Sequence, residues 1–227
     1  MAMSDGWTRE ELLASVEAYM DMRRKVFGGE RFIKKRYYED LASRFDRTDK
    51  AFEYRMQNIS YVMTLLGREW VPGLKPAKNV GAKVAAEIEE LIGLVEGRQT
   101  AGVAGFEVEV RDQLKNRSLP RPSGKERPAS TLASITQFQR DATVKAWVLR
   151  QANGVCESCL GVAPFKTADG TPFLEVHHVR QLADGGSDTT TNAVGLCPNC
   201  HREMHYGENS RDLAEKLYTQ VSRLIRE

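Results

Sequence analysis

Glu175-Val-His177-His178-Val-Arg180, then Gly185-Gly186 and Asn192, then Leu196-Cys197-Pro-Asn-Cys200-His201-Arg-Glu-Met-His205, is the stretch whose reading decides the fold. All four histidines of this 227-residue chain lie in it, in two pairs. The four cysteines lie in or beside it as two C-x-x-C pairs, Cys156/Cys159 and Cys197/Cys200. Four thiolates in two such knuckles suit one tetrahedral zinc ion, with Zn–S bonds of about 2.3 Å. A closed sulfur site leaves no position for substrate, so its expected role is to staple a region that has little apolar core. The plain alternative is four buried free thiols. A redox C-x-x-C fits less well, because two pairs occur and no thioredoxin-like βαβ pattern surrounds them.

The histidines divide by spacing. In an extended strand His177 and His178 point to opposite faces, so different jobs are expected of them. His201 and His205 stand at i and i+4, about one helical turn apart, and both imidazoles can reach one ion. His177 at the strand end completes a three-histidine site with open positions for water and phosphate. His178 is then left as a general base, a role its near-neutral pKa suits. The plain reading is a set of satisfied structural histidines or alternative zinc ligands. Residue order argues against two rivals. Zinc deaminases place H-x-E before P-C-x-x-C, whereas here His201-x-Glu203 follows the cysteines. Zincin metalloproteases require H-E-x-x-H, whereas the run here is H-R-E-M-H.

Outward from this cluster, no run of about eighteen apolar residues occurs, so no transmembrane helix is expected. The start, Met-Ala-Met-Ser-Asp-Gly-Trp, lacks the basic-then-apolar pattern of a signal peptide. Paired C-x-x-C motifs without an export signal favour metal over disulfides and a reducing cytoplasm. The net charge of +2 conceals a division. Residues 1–97 hold 16 basic and 16 acidic residues, 98–150 hold 10 against 5, and 151–227 hold 7 against 10. A negative C-terminal segment is awkward for binding phosphate, so bound cations and the basic middle are expected to reverse the local field.

The N-terminal part reads as helical. Thr8-Arg-Glu-Glu11 is a capping box, with Leu12, Val16, Tyr19 and Val26/Phe27 on one face and Gly28-Gly29 as the stop. Further helices are expected over about Lys34 to Phe45 and from about Asp49 to Gly67. A fourth is expected to be capped by Asn79, with Val84, Ile88, Leu91 and Val95 on its face. Phe106-Glu-Val-Glu-Val110 alternates, which reads either as a short strand or as a flexible segment. Asn116 to Pro128 has three prolines among basic residues and reads as a linker. Asp141 is expected to cap a helix ended by Asn153-Gly154. Phe173 to Val179 reads as a strand and Asp184-Gly-Gly-Ser187 as a turn. A helix then starts around Asn199, and an amphipathic one carries Leu213, Leu217, Val221 and Leu224. The expected fold class is α+β, a helical N-terminal domain followed by a zinc-stapled ββα-metal domain. The expected divisions are a head domain over 1–97, a basic linker over 98–135 and a metal domain over 136–227.

H-H, then Asn, then H-x-x-x-H resembles the HNH, or ββα-metal, endonucleases. Val144-Lys-Ala-Trp-Val-Leu149, Leu174-Glu-Val-His-His-Val179 and Leu196-Cys-Pro-Asn-Cys-His-Arg-Glu-Met-His-Tyr206 resemble McrA-like, modification-dependent restriction enzymes within that family. Trp7-Thr-x-Glu-Glu, Phe32-Ile-Lys34, Asn58-Ile-Ser60 and Gly73-Leu-Lys-Pro76-x-x-Asn79 resemble the helical head domain of multidomain members. The 227 residues are not expected to include the additional SRA-type reading domain that some members carry. The resemblance implies that His178 is the base and that His177, His201 and His205 hold a catalytic divalent cation. That ion would be Mg²⁺ or Mn²⁺, with Ni²⁺, Co²⁺ or Zn²⁺ as alternatives. Asn192 would either fix the loop that positions His178 or touch the metal. The implied substrate is double-stranded, modified DNA, cut to leave 5′-phosphate and 3′-hydroxyl ends. Duplex cutting needs two active sites or two binding events, so a homodimer is expected on geometric grounds.

Contacts to DNA are expected from Arg180 and Arg202 beside the site. On the head domain, Arg23, Arg24, Lys34 and Lys35 belong to a basic run over 22–36 that contains one acid, Glu30. Asn58 and Gln57 are residues there able to contact an adenine or cytosine edge. Two other classes of function remain. One is a zinc-stapled DNA-binding module without cleavage, which would not need a free histidine such as His178. The other is a non-specific HNH nuclease whose N-terminal domain docks protein.

Overall fold

A computed structural model describes residues 6–126 and 138–227, and the chain divides into two compact units on either side of residues 136/137. The first unit is a helical bundle of α1 (Arg9–Phe27), α2 (Lys34–Arg44), α3 (Asp49–Leu65), α4 (Ala82–Val95) and α5 (Val103–Leu114). Both halves of the Thr8 capping box are formed, and Glu11 also takes the Arg47 guanidinium at 2.6 Å. Leu12, Val16, Tyr19 and Met22 of α1 meet Phe52, Met56, Ile59 and Met63 of α3 and Ile88, Leu91 and Ile92 of α4 in one fully buried core. Tyr19 pins this core to the following loop, its hydroxyl lying 2.9 Å from Ser60 Oγ and accepting the Val71 amide at 3.1 Å.

Two expectations change here. Asn79 does not cap α4, whose N-cap is Gly81; the Asn79 side-chain Oδ1 instead accepts from Asn58 Nδ2. The alternating run Phe106–Val110 is neither strand nor flexible segment but part of α5. Ala104 and Val108, at helical i, i+4 spacing, bury themselves in the bundle core. Gly105 permits the close approach, because a Cβ there would meet Ala86 Cβ at 2.9 Å. The start of α5 is capped from α4: the Glu89 carboxylate accepts the amides of Gly102 and Ala104 at 2.8 and 2.6 Å. The segment read as a linker over 98–135 therefore contains a helix that belongs to the first unit's core. Part of the Asn116–Pro128 stretch lies outside the described residues.

The second unit holds α6 (Ala142–Ala152), β1 (Glu175–His178), β2 (Ala193–Leu196), α7 (Pro198–Tyr206) and α8 (Ser210–Gln220). The Asp141 side chain caps α6 through the Thr143 amide, and Asn153, at φ 47°, ends it in the left-handed conformation. β1 and β2 pair antiparallel, with His177 opposite Val194 and His178 opposite Ala193. Leu174, Val194, Leu196, Met204, Leu217, Val221 and Leu224 form the small core, with Cys156 and Cys200 at its edge. Arg223 closes the fold by a two-pronged ion pair to Glu157 at 2.6 and 2.7 Å. Glu157 in turn accepts the Gly195 amide of β2, so the C-terminal segment, the first cysteine knuckle and the hairpin share one half-buried carboxylate. The described residues contain no helix long and apolar enough to cross a membrane.

Candidate metal centres and nuclease site

Two knuckles bring the four cysteines together. Cys156 and Cys159 lie in a turn closed by the Cys156 amide on Gly161 O and the Leu160 amide on Cys156 O. Cys197 is the N-cap of α7, Pro198 fills the first helical position and Cys200 follows in the first turn. All four sulfurs lie within 4.8 Å of one another, and none is in a disulfide. Burial pushes the Cys197 and Cys200 thiols up. At Cys156 burial is outweighed by the amides of Cys159, Cys197 and Ser158, which bring the thiol down to about 7. Four crowded sulfurs that cannot all ionise alone suit a divalent cation, and this cluster is consistent with zinc.

The second cluster is built by β1 and α7. His177, on the strand face turned toward α7, is buried, and its ring lies 5.2 Å from that of His201 and 4.9 Å from that of His205. Their ligand nitrogens lie within 4.8 Å of one another. Burial, reinforced by the neighbouring histidines and Arg140, holds the His177 pKa well below the usual 6.5, so its ring is neutral and able to donate a lone pair. The neighbouring carboxylate of Glu175 sits 2.7 Å from His201 Nδ1. A carboxylate only accepts, so Nδ1 carries the proton and the Nε2 lone pair is free for an ion. The Gln181 amide reaches His205 Nδ1 at 3.3 Å.

His178 takes the other strand direction. Its Nε2 lies 2.7 Å from Asp188 Oδ1 in the β1–β2 loop. Asn192 is fully buried and staples that loop. Its Oδ1 accepts the Arg180 amide at 2.8 Å, and its Nδ2 donates to Arg180 O and Ser187 O at 2.9 and 2.8 Å. Of the two roles left open for Asn192, this geometry supports the loop staple. Two adjoining clefts, of about 270 and 200 Å³, share Arg140, Val176, His178 and His201 in their walls. Lys145 and Phe173 line the larger, and His177 and His205 the smaller. Sequence reasoning missed Arg140, Glu175 and Asp188. For Glu175 a signal existed, since it stands two residues before His177 and a strand puts the pair on one face.

The DNA-contact candidates fare unevenly. Arg180 donates from Nε to Asp184 O at 3.1 Å, and Arg202 is exposed with its guanidinium 6.0 Å over Tyr206. Two candidates need correction. Arg23 is only 4% exposed, donates to Glu69 O at 3.0 Å and lies over the Phe27 ring. Asn58 is 6% exposed and donates its amide to Ala77 O and Asn79 Oδ1, both at 3.0 Å. Both are structural, and neither offers a polar edge to a duplex. Lys34 donates to Pro72 O at 2.9 Å. Arg24 pairs with Asp21 and Glu30, and Lys35 with Glu39. These last pairs are exposed and hold weakly, so Arg24 and Lys35 can exchange an acid for a phosphate.

A paired hairpin followed by a helix, with a three-histidine cluster on one side and a fourth histidine beside it, defines the ββα-metal architecture. Residues 156–207 match the HNH endonuclease family, so the second unit carries an HNH endonuclease region. The chain is related to McrA type IV restriction enzymes: it is 48% identical over 112 residues to the type IV methyl-directed restriction enzyme EcoKMcrA of Escherichia coli (strain K12). That match covers 49% of this chain and 40% of the relative, so the likeness spans less than half the relative's length. The solved structure of the type IV phosphorothioation-dependent restriction endonuclease ScoMcrA is 38% identical over a match covering 37% of this chain and 19% of that one, with a TM-score of 0.34.

Proposed function

We propose that this protein is a DNA endonuclease of the McrA-like, modification-dependent kind, acting in a prokaryotic cytoplasm, with its HNH unit as the cutting domain. The observation that carries this reading is the pairing of a three-histidine cluster with a separate histidine held by its own carboxylate partner on the wall of the same clefts. His177, His201 and His205 would hold Mg²⁺ or Mn²⁺, with Ni²⁺, Co²⁺ or Zn²⁺ as alternatives, and the four cysteines a structural zinc. The divalent ion, when bound, supplies positive charge against the scissile phosphate and the leaving oxygen. His178 removes a proton from the attacking water. The water oxygen bonds to phosphorus as the P–O3′ bond breaks, leaving 5′-phosphate and 3′-hydroxyl ends. Asn192 keeps the loop in register, Arg140 and Lys145 supply cationic groups on the cleft wall, and Arg180 and Arg202 are further candidates for flanking phosphates.

EcoKMcrA is described as methyl-directed, and we extend modification dependence to this chain on that relationship. The first unit selects the DNA, through exposed Arg24 and Lys35 and not through Arg23 or Asn58. Cutting both strands takes two active sites or two binding events, and we favour a homodimer as the working form. The test is cleavage of matched duplexes bearing no modification, 5-methylcytosine, 5-hydroxymethylcytosine, N6-methyladenine or phosphorothioate. One modified duplex should be cut in preference, and equal cutting of all five would refute the modification dependence. A second reading makes the first unit a protein-docking module on a non-specific nuclease. The outward face of α5 favours it, where Phe106 is 64% and Leu114 75% exposed.

A further inference from the structure

Asp188 stands in the β1–β2 loop and has two hydrogen-bonding neighbours from different elements. Its Oδ1 lies 2.7 Å from His178 Nε2, and its Oδ2 accepts the backbone amide of Asp141 at 2.5 Å. Asp141 is the N-cap of α6, and Arg140 beside it lines both clefts. A carboxylate offers only acceptors, so both neighbours must donate. His178 must therefore carry its proton on Nε2, and Nδ1 is left with a free lone pair. The neutral ring has only these two nitrogens, and the partner of one decides the state of the other.

We propose that Asp188 is the positioning residue of this nuclease site: it fixes His178 in the Nε2-protonated tautomer, makes Nδ1 the atom that takes the proton from water, and registers the start of α6 against that ring. The proposal rests on the reading of His178 as the general base. When Nδ1 accepts the proton, the imidazolium formed keeps its Nε2–H on the Asp188 carboxylate, which stabilises the new charge where it appears. The neutral isostere cannot serve both neighbours. Asparagine supplies one acceptor and one N–H₂; the Asp141 amide can only donate and takes the acceptor, so the N–H₂ is set against His178 Nε2, which can accept only by changing tautomer.

The test reads the tautomer directly. Nitrogen NMR of ¹⁵N-histidine-labelled, zinc-loaded full chain, with and without Mg²⁺, should show the His178 hydrogen on Nε2, its signals assigned by their loss in His178→Ala. Asp188→Asn should move the proton to Nδ1 and lower kcat on the order of 10²–10⁴-fold, the range of general-base catalysis itself. KM, DNA affinity and zinc content should be unchanged. Asp188→Glu, which keeps two acceptors, should restore part of both the tautomer and the rate. A wild-type His178 protonated on Nδ1 overturns the proposal without recourse to any variant. So does an Asp188→Asn protein that changes tautomer at full kcat, or one that changes neither. If His178→Ala cuts DNA as well as wild type, the general-base reading fails instead, while the tautomer measurement still decides the contact.

Discussion

Glu175 and Asp188 each place a carboxylate against one ring nitrogen, and each thereby decides what the opposite nitrogen can do. On the proposed function the lone pair left at His201 would serve an ion, and that left at His178 a proton. The histidines and cysteines themselves were readable from spacing, because knuckles and i, i+4 pairs are local. Asp188 was not, since its contact crosses ten residues of loop with no periodicity to reveal it. Arg23 was misread although its signal was present. Leu12, Val16, Tyr19 and Arg23 fall on one helical stripe, so the arginine enters the core with its neighbours and covers it with its stem. The two clusters predict separate losses. Cys159→Ser should lower zinc content and unfold the second unit, because structural zinc binding is folding free energy. His205→Ala should keep zinc and fold but weaken activation by Mg²⁺ or Mn²⁺. Metal analysis and thermal unfolding of both variants check this, and equal loss of zinc and fold in the two would show the ligands to be misassigned.

At the scale of elements, helices with local caps were legible: α1 with Thr8, α6 with Asp141, and α3, which follows Thr48. α5 was not, because its cap comes from Glu89 on α4 and the alternation at 106–110 imitates a strand. β2 escaped for a similar reason, as Ala-Val-Gly-Leu is too short to show a period and takes its identity from pairing with β1. Glu89 is 1% exposed, and removing it leaves two backbone amides without acceptors. Glu89→Ala should therefore destabilise the first unit by about 1–3 kcal/mol. Chemical denaturation measures the loss, and proteolysis should find new cuts near residue 102. An unchanged midpoint would mean that α5 does not depend on this cap.

At the scale of the whole molecule, the two-unit plan was legible as a change of pattern, from amphipathic helices to a cysteine and histidine cluster, although α5 carries the first unit past residue 97. Residues 137–227 hold 10 basic against 11 acidic residues, so the second unit is expected to bind DNA weakly by itself, and on the proposed function most affinity would come from exposed bases elsewhere and from cations held at the site. On the proposed function, the histidine cluster cuts DNA through His178. The direct measurement is nicking of a supercoiled plasmid by the zinc-loaded full chain with Mg²⁺ or Mn²⁺, run beside His178→Ala, with gel-shift affinity taken on both proteins. Wild type should nick, and the variant should bind DNA and hold zinc as before while its nicking falls by about 10²–10⁴-fold. Undiminished nicking by His178→Ala would contradict the assignment of the base, and an inert wild type with every divalent ion tried would contradict the nuclease itself.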